Sequence, residues 1–174
     1  MILISCPVYA SGIVIDVQGE ATGSITIDLF EDIAPNHTKR ILTLSEEGLY
    51  DGVVFHRVIE GFMAQTGDVQ FGKISGTRQR VGMGGSEYPD LKAEFSNINY
   101  DRGIVGMARS QHPNSANSQF FIMFSEGSFL NGQYTVIGKV TSGLDVLDKI
   151  KRGFGQNGSV LGEPDFMKTV IGFE

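Results

Sequence analysis

The 174-residue sequence has no Trp, one Cys, three His and five Pro, and each scarcity removes a class of explanation. A lone thiol can form neither an internal disulfide nor a thiolate metal site, so stability must come from a packed core. His37, His56 and His112 are too far apart for a local His-x-x-x-His pair, and no metal is expected. The longest apolar run, Phe120 to Phe124, is far short of the roughly 18 residues of a membrane span. Positive charge is also scarce. Fourteen Lys plus Arg against 20 Asp plus Glu leave a net charge of −6, and the densest basic pairs, Lys39-Arg40 and Lys151-Arg152, are isolated. Such a chain repels phosphate backbones, so neither nucleic acid nor a membrane is an expected partner.

A secretory leader needs a basic start and about 7–15 apolar residues. This chain opens Met-Ile-Leu-Ile, breaks at Ser5-Cys6-Pro7, and has its first basic residue at Lys39. Leu3-Ile4-Ser5-Cys6 has a loose likeness to the segment before a lipidated bacterial cysteine but lacks the basic region and most of the apolar one. Cys6 therefore reads as an ordinary N-terminal residue, and the expected location is the cytoplasm.

What is present is 41% apolar and 20% charged, an ordinary globular composition, in a length that suits one domain over residues 1–174. Gly is abundant at 23 residues, which favours short strands and tight turns over a helical bundle. Ile13–Val17 and Gly23–Phe30 are β-branched and partly alternating, and the residues between them supply a turn, so they read as a hairpin. The period then changes. Asp32 is a candidate cap, Pro35 suits a first helical turn, and His37, Ile41, Leu44 and Ser45 continue at helical spacing until Gly48. Strand patterns recur at Val53–Ile59, Phe62–Thr66, Ile104–Ala108, Gln119–Phe124 and Thr135–Val140. A second helix is expected after Ser142-Gly143 through Leu144, Leu147 and Ile150, and a last strand at Lys168–Phe173. Between Gly67 and Glu94 lies a polar, Gly-rich stretch too long for a simple turn. Many short strands with two helices suggest a barrel or sandwich capped at its ends.

Familiar catalytic patterns are missing. Gly82-Met83-Gly84-Gly85 lacks the Gly-Lys-Ser/Thr of a phosphate loop and reads as a surface turn, and there is no Gly-x-Ser-x-Gly elbow. An enzyme built on this chain should form no covalent intermediate. More informative is Phe55-His56-Arg57-Val58-Ile59-Glu60-Gly61-Phe62-Met63-Ala64-Gln65-Thr66-Gly67-Asp68. Strand alternation would put Phe55, Arg57 and Ile59 on one face and His56 and Val58 on the other, setting a cation among large apolar residues. A second segment, Asn117 to Phe124, places Gln119 and Phe121 on a common face. An apolar hollow with a few convergent polar groups is the usual makeup of a binding site. By residue type alone, however, Phe62, Met63, Phe120 and Phe121 read as core, Arg57 as a solvated or paired strand residue, Gln65 and Gln119 as caps, and His56 as structural.

The sequence resembles the cyclophilins, the peptidyl-prolyl cis-trans isomerases, at Phe55-His56-Arg57-Val58-Ile59-x-x-Phe62-Met63-x-Gln65-x-Gly67-Asp68, Met107-Ala108 and Asn117-Ser118-Gln119-Phe120-Phe121-Ile122. The likeness continues through Phe129-Leu130-Asn131-Gly132 and Gly138-Lys139-Val140, so it covers nearly the whole chain. It implies a mainly β fold, a closed eight-stranded antiparallel barrel capped by two α-helices. It also implies isomerisation of X–Pro bonds during protein folding, without cofactor, on proline-containing peptides and unfolded clients. By the same resemblance Arg57 would be catalytic. The groove would be lined by Phe62, Met63, Gln65, Ala108, Arg109, Gln119, Phe121, Phe129, Leu130 and Tyr134, with His56 close by. Phe129 stands where many eukaryotic members carry Trp and Tyr134 where they carry His, a pairing similar to bacterial cyclophilins, which implies weak binding of cyclosporin. Arg109 replaces a common Asn, and Ser110–Asn114 is one residue longer. A monomer is the simplest expectation. Two rivals remain at this point: a module that docks proline segments without needing catalysis, and a barrel enclosing a small apolar ligand. The abundance of Phe, Ile, Val and Met, sufficient to fill an eight-stranded barrel, speaks against the second.

Overall fold

The protein is described here by a computed structural model covering residues 10–174; the Leu3–Cys6 segment lies outside the described residues. In chain order the elements are β1 (Gly12–Gln18), β2 (Gly23–Leu29), α1 (Pro35–Glu46), β3 (Val53–Val54), β4 (Arg57–Ile59), β5 (Met63–Thr66), β6 (Ile104–Met107), β7 (Phe120–Met123), β8 (Val136–Ser142), α2 (Leu144–Lys149) and β9 (Phe166–Phe173), with a 3-10 turn at Ser128–Leu130.

β1 and β2 form the expected hairpin. Ile13 faces Ile27 and Ile15 faces Ile25 across the pair, and all four are buried because alternate side chains of a strand share one face. The strands assemble into one antiparallel sheet in the order β3-β9-β1-β2-β8-β6-β7-β5-β4. Its two outermost members, β3 and β4, are separated in the chain only by Phe55-His56. The ring is thereby closed through the covalent chain: residues 53–59 act as one bent strand that pairs with β9 through its first half and with β5 through its second. Counted so, the barrel has the expected eight strands.

The bend corrects one expectation. Phe55 does not share a face with Arg57; it is fully buried in the interior together with Val58, because the break between β3 and β4 shifts the alternation by one residue. Arg57 and Ile59 remain on the outer face, partly exposed. The interior is filled by Ile13, Ile15, Ile25, Ile27, Phe55, Val58, Phe120, Ile122 and their neighbours, so the barrel is a packed core and not a ligand chamber. A second buried cluster, including Met63, Tyr100, Ile104, Phe121, Met123 and Leu130, lies apart from it.

α1 packs on β1 and β9, burying His37, Thr38, Ile41, Leu44 and Ser45, and α2 packs on β2 through Val146 and Leu147. Asp32 does not cap α1. The cap position is Ala34, whose side chain offers no acceptor. The orphan amides of the first turn are instead taken by Glu94, far along the chain: Asn36 N–H donates to Oε1 and His37 N–H to Oε2, each at 3.1 Å. The Asn36 side-chain amide (2.7 Å) and His37 Nδ1 (2.5 Å) complete the carboxylate's shell. Hydrogen bonds from His37 and Asn36 outweigh partial burial and hold the Glu94 carboxyl below the usual glutamate range.

Glu94→Ala should therefore cost about 2 kcal/mol of stability, as expected for loss of a helix cap together with a charge-assisted bond to a buried histidine. Urea unfolding at neutral pH measures it, and a change within error would show that the cap is dispensable.

Candidate active site

The strand register builds a row of side chains across the outer face of the barrel. Arg57 on β4 is opposite Gln65 on β5, Gln65 is opposite Phe121 on β7, and Phe121 is opposite Gly106 on β6. The next row along repeats the pattern with Ile59, Met63 and Met123. Gly106 is required where it stands, since a Cβ there would lie 2.6 Å from Phe121 Cζ and would also overlap Tyr100. The second apolar cluster is thus the floor beneath these rows. Tyr100 stacks on Phe121 with ring centroids 5.7 Å apart, and Tyr134 meets the Phe121 ring edge-on at 5.8 Å.

Over this floor opens a hollow of about 600 Å³ lined by Arg57, Phe62, Met63, Gln65, Ala108, Arg109, Phe121, Phe129, Leu130, Gln133 and Tyr134. A second hollow of about 360 Å³ shares Gln65, Ala108 and Arg109 with it and is bounded by Gln119, Gly82, Met83, Gly84, Ser110, Ser115, Asn117 and Ser118. Ten of the residues singled out from the sequence therefore meet around the first hollow, and Gln119 borders the second. His56 lines neither; it is buried beneath Gly82, where a Cβ would come within 3.2 Å of its ring. Gln133, Ser110 and Ser115 were not singled out. Nothing in their residue types marks them, because loop folding alone brings them to the rim.

The polar groups form a directed relay. Gln119 Nε2 donates to the carbonyls of Gly82 (3.1 Å) and Gly84 (2.8 Å), Gln65 Nε2 donates to Gln119 Oε1 (3.0 Å), and Arg57 Nη1 donates to Gln65 Oε1 (3.2 Å). Arg57 Nε donates to Asn157 O at 3.0 Å, so the guanidinium is gripped from two sides. No carboxylate pairs with it among the described residues. Partial burial depresses the Arg57 pKa, the sign of a cation held at a poorly solvated position. Arg109 behaves differently. Its guanidinium is spent on the carbonyls of Gln133, Ser110 and Gln111 and lies 4.4 Å from the centre of the Tyr134 ring, bracing that wall.

The glycine turn that borders the second hollow is held from below by Asp68, a fully buried carboxylate. Its Oδ2 accepts from the N–H of Gly82 (2.7 Å) and Gly84 (3.0 Å), and its Oδ1 accepts from those of Gln70 (3.1 Å) and Phe71 (2.9 Å). Both sides of the turn are therefore fixed, amides by Asp68 and carbonyls by Gln119.

A family model described as cyclophilin type peptidyl-prolyl cis-trans isomerase/CLD matches residues 14–170. A probable peptidyl-prolyl cis-trans isomerase of Brucella suis is 59% identical over 152 residues, covering 86% of this chain and 78% of that protein. Peptidyl-prolyl cis-trans isomerase B of Escherichia coli is 40% identical over 139 residues, 74% of this chain and 79% of that one. Among solved structures, a cyclophilin type peptidyl-prolyl cis-trans isomerase of Cryptosporidium parvum matches with a TM-score of 0.79 and 29% identity, covering 95% of this chain and 99% of its own. That protein has also been crystallised in the presence of the dipeptide Ala-Pro.

Burial of His56, which outweighs the attraction of nearby Asp68, lowers its pKa to about 4, and burial lowers that of His37 as well. The unfolded chain, with histidines near 6.5, then binds more protons than the folded one between about pH 6.5 and 4, so stability must fall as pH falls through that window. Between pH 7.5 and 5, His56 alone should account for a loss of about 2 kcal/mol. Urea midpoints at the two pH values measure this, and His56→Gln should flatten the dependence; an unchanged slope would mean that His56 takes up its proton over the same pH range in the folded and the unfolded chain.

Proposed function

The chain belongs to the cyclophilin-type peptidyl-prolyl cis-trans isomerases, and on that footing we propose that the hollow around Arg57, Gln65 and Phe121 is where a proline is held while the peptide bond preceding it turns. The enzyme accelerates rotation about X–Pro bonds. Such a bond resists rotation by about 18–20 kcal/mol because delocalisation of the nitrogen lone pair gives it double-bond character. Uncatalysed exchange takes tens to hundreds of seconds. Catalysis here needs neither a nucleophile nor a metal, only an environment that favours the twisted state, in which the prolyl nitrogen becomes pyramidal and regains its lone pair.

The observation that carries this reading is a half-buried guanidinium without a carboxylate partner among the described residues, locked by Gln65 and Asn157 over an apolar floor. Nη2 of Arg57 is free of protein acceptors among the described residues and donates to the prolyl nitrogen or the prolyl carbonyl. In a partly dry hollow that bond strengthens as the twist develops, so it lowers the barrier instead of merely tightening binding. Phe62, Met63, Phe121 and Leu130 hold the proline ring. The flanking peptide is held by the Gln65 amide and by the backbone at Ala108 and Arg109. Ala108 N–H is already committed to Gln119 O at 2.9 Å, so the groups offered there are the Ala108 carbonyl and the Arg109 amide. With both flanks anchored, the acyl side is the part that turns. Clients in this reading are proline-bearing segments of unfolded chains, met by a single copy of the protein.

Arg57→Ala should cut turnover of a short X–Pro peptide by orders of magnitude in exchange NMR while peptide affinity falls far less; undiminished turnover would falsify the role of Arg57. At the rim, Phe129 is 69% exposed and its ring centroid is 5.3 Å from that of Phe62. It presents apolar area but no donor, so cyclosporin is bound weakly. Phe129→Trp, which adds an indole N–H, should bind cyclosporin about fivefold more tightly with turnover largely kept. Equal titration curves for the two proteins would overturn that account of the weak affinity.

A further inference from the structure

Against the net charge of −6, residues 69–86 carry Lys73, Arg78 and Arg80 and no acidic residue at all. The fold gathers these cations around a hollow of about 300 Å³ whose walls include Phe71, Gly76 and Thr77. Arg80 Cζ lies over the Phe71 ring, 4.2 Å from its centre, and its guanidinium nitrogens are unclaimed by protein acceptors among the described residues. Arg78 is the one non-glycine described residue with positive φ (54°); one of its nitrogens donates to Ile74 O at 2.6 Å, and no carboxylate among the described residues pairs with it. Lys73 adds charge but has its ammonium committed to the carbonyls of Leu49 and Asp51. Glu47 and Glu87 line a separate hollow, in which Tyr88 Oη donates to Glu47, and the carboxylate of Asp68, buried beneath this stretch, is taken up by the backbone amides of Gln70, Phe71, Gly82 and Gly84.

This cationic hollow adjoins the second hollow of the site. Arg80 is two residues from Gly82, which borders that hollow, and Met83 N–H is bonded to Arg80 O at 3.0 Å. Three residues span at most about 10 Å of chain. We propose that Arg78 and Arg80 form an acid-selecting subsite, which holds the carboxylate of a Glu or Asp lying a few residues from the proline of a client peptide that runs across the second hollow. The inference rests on the isomerase reading and names the class of client it prefers: segments with an acidic residue on one flank. The two guanidinium groups present forked donors suited to a carboxylate, and Phe71 fixes one of them in advance.

The test uses the full chain and a neutral Ala-rich X–Pro peptide, with Glu or Lys walked from two to five residues before or after the proline. Exchange NMR gives kcat/KM and calorimetry gives affinity. One flank should show an optimum at which the Glu peptide exceeds the Lys peptide about fivefold in both measures, with the difference shrinking at 0.5 M salt. Arg78→Gln/Arg80→Gln should abolish that difference and leave the neutral peptide unchanged. Arg80→Gln alone, which removes no protein hydrogen bond, should reduce it and guards against a disturbed loop. Equal behaviour of Glu and Lys peptides on both flanks, or a preference that survives the double variant, would overturn the subsite. Lack of turnover on every peptide would instead fault the isomerase reading, and the affinity difference would still decide the subsite.

Discussion

The antiparallel register that sets Arg57, Gln65, Phe121 and Gly106 side by side is the constraint on which the rest of the site depends. Side chains alternate across a sheet, so a slip of one residue in β4 or β5 would turn Arg57 or Gln65 into the packed interior and bring Val58 or Ala64 outward. Burying a guanidinium among Ile13, Phe55 and Phe120 without a partner is far costlier than keeping it at the surface, so core packing enforces the register. One apolar pattern thus has two results: it fills the barrel and presents a cation over a second, outward apolar cluster.

The loops are held by polar atoms. The long stretch between β5 and β6 has no named strand or helix, yet it is anchored at both ends by carboxylates. Asp68 collects the amides of Gln70, Phe71, Gly82 and Gly84, and Glu94 collects those of Asn36 and His37. Between them Asn117 accepts from Ser86 N–H at 2.7 Å and donates to Tyr88 O at 2.9 Å, while Arg40 reaches the carbonyls of Asn117 and Pro89. These bonds supply what a strand ladder would otherwise supply: partners for backbone groups in a segment whose many glycines suit neither helix nor sheet. The amide relay from Gly82 and Gly84 through Gln119 and Gln65 then joins this loop to Arg57, so the second hollow and the guanidinium are mechanically one unit.

Much of this was legible along the chain, and the failures share a cause. The β1–β2 hairpin, the apolar stripe of α1 and the common face of Arg57 and Ile59 follow from periods of 2 and 3.6, which are local properties. Asp32 looked like the cap of α1 because capping is usually local; Glu94 prevails because a carboxylate from a remote loop can satisfy two amides and an imidazole at once. Phe55 was placed beside Arg57 by alternation, which fails where the chain bends to close the ring. Likewise, the surface turn at Gly82–Gly85 was recognisable, but its place at the rim of a hollow was not.

By itself, then, the amino-acid order determined the element types, the packed barrel, the resemblance that names the chemistry and the residues to watch. Those depend on propensities and patterns spanning a few residues, and on motifs whose order survives in one dimension. Only the tertiary structure decided which nitrogen of Arg57 stays free, why the Arg109 guanidinium is spent on backbone carbonyls as a brace of the wall, and how Asp68 and Glu94 are used. Each of these is a choice of partner for a polar atom, and partners 14, 58 or 100 residues away in the chain are selected by strand register and loop closure, not by neighbours in sequence.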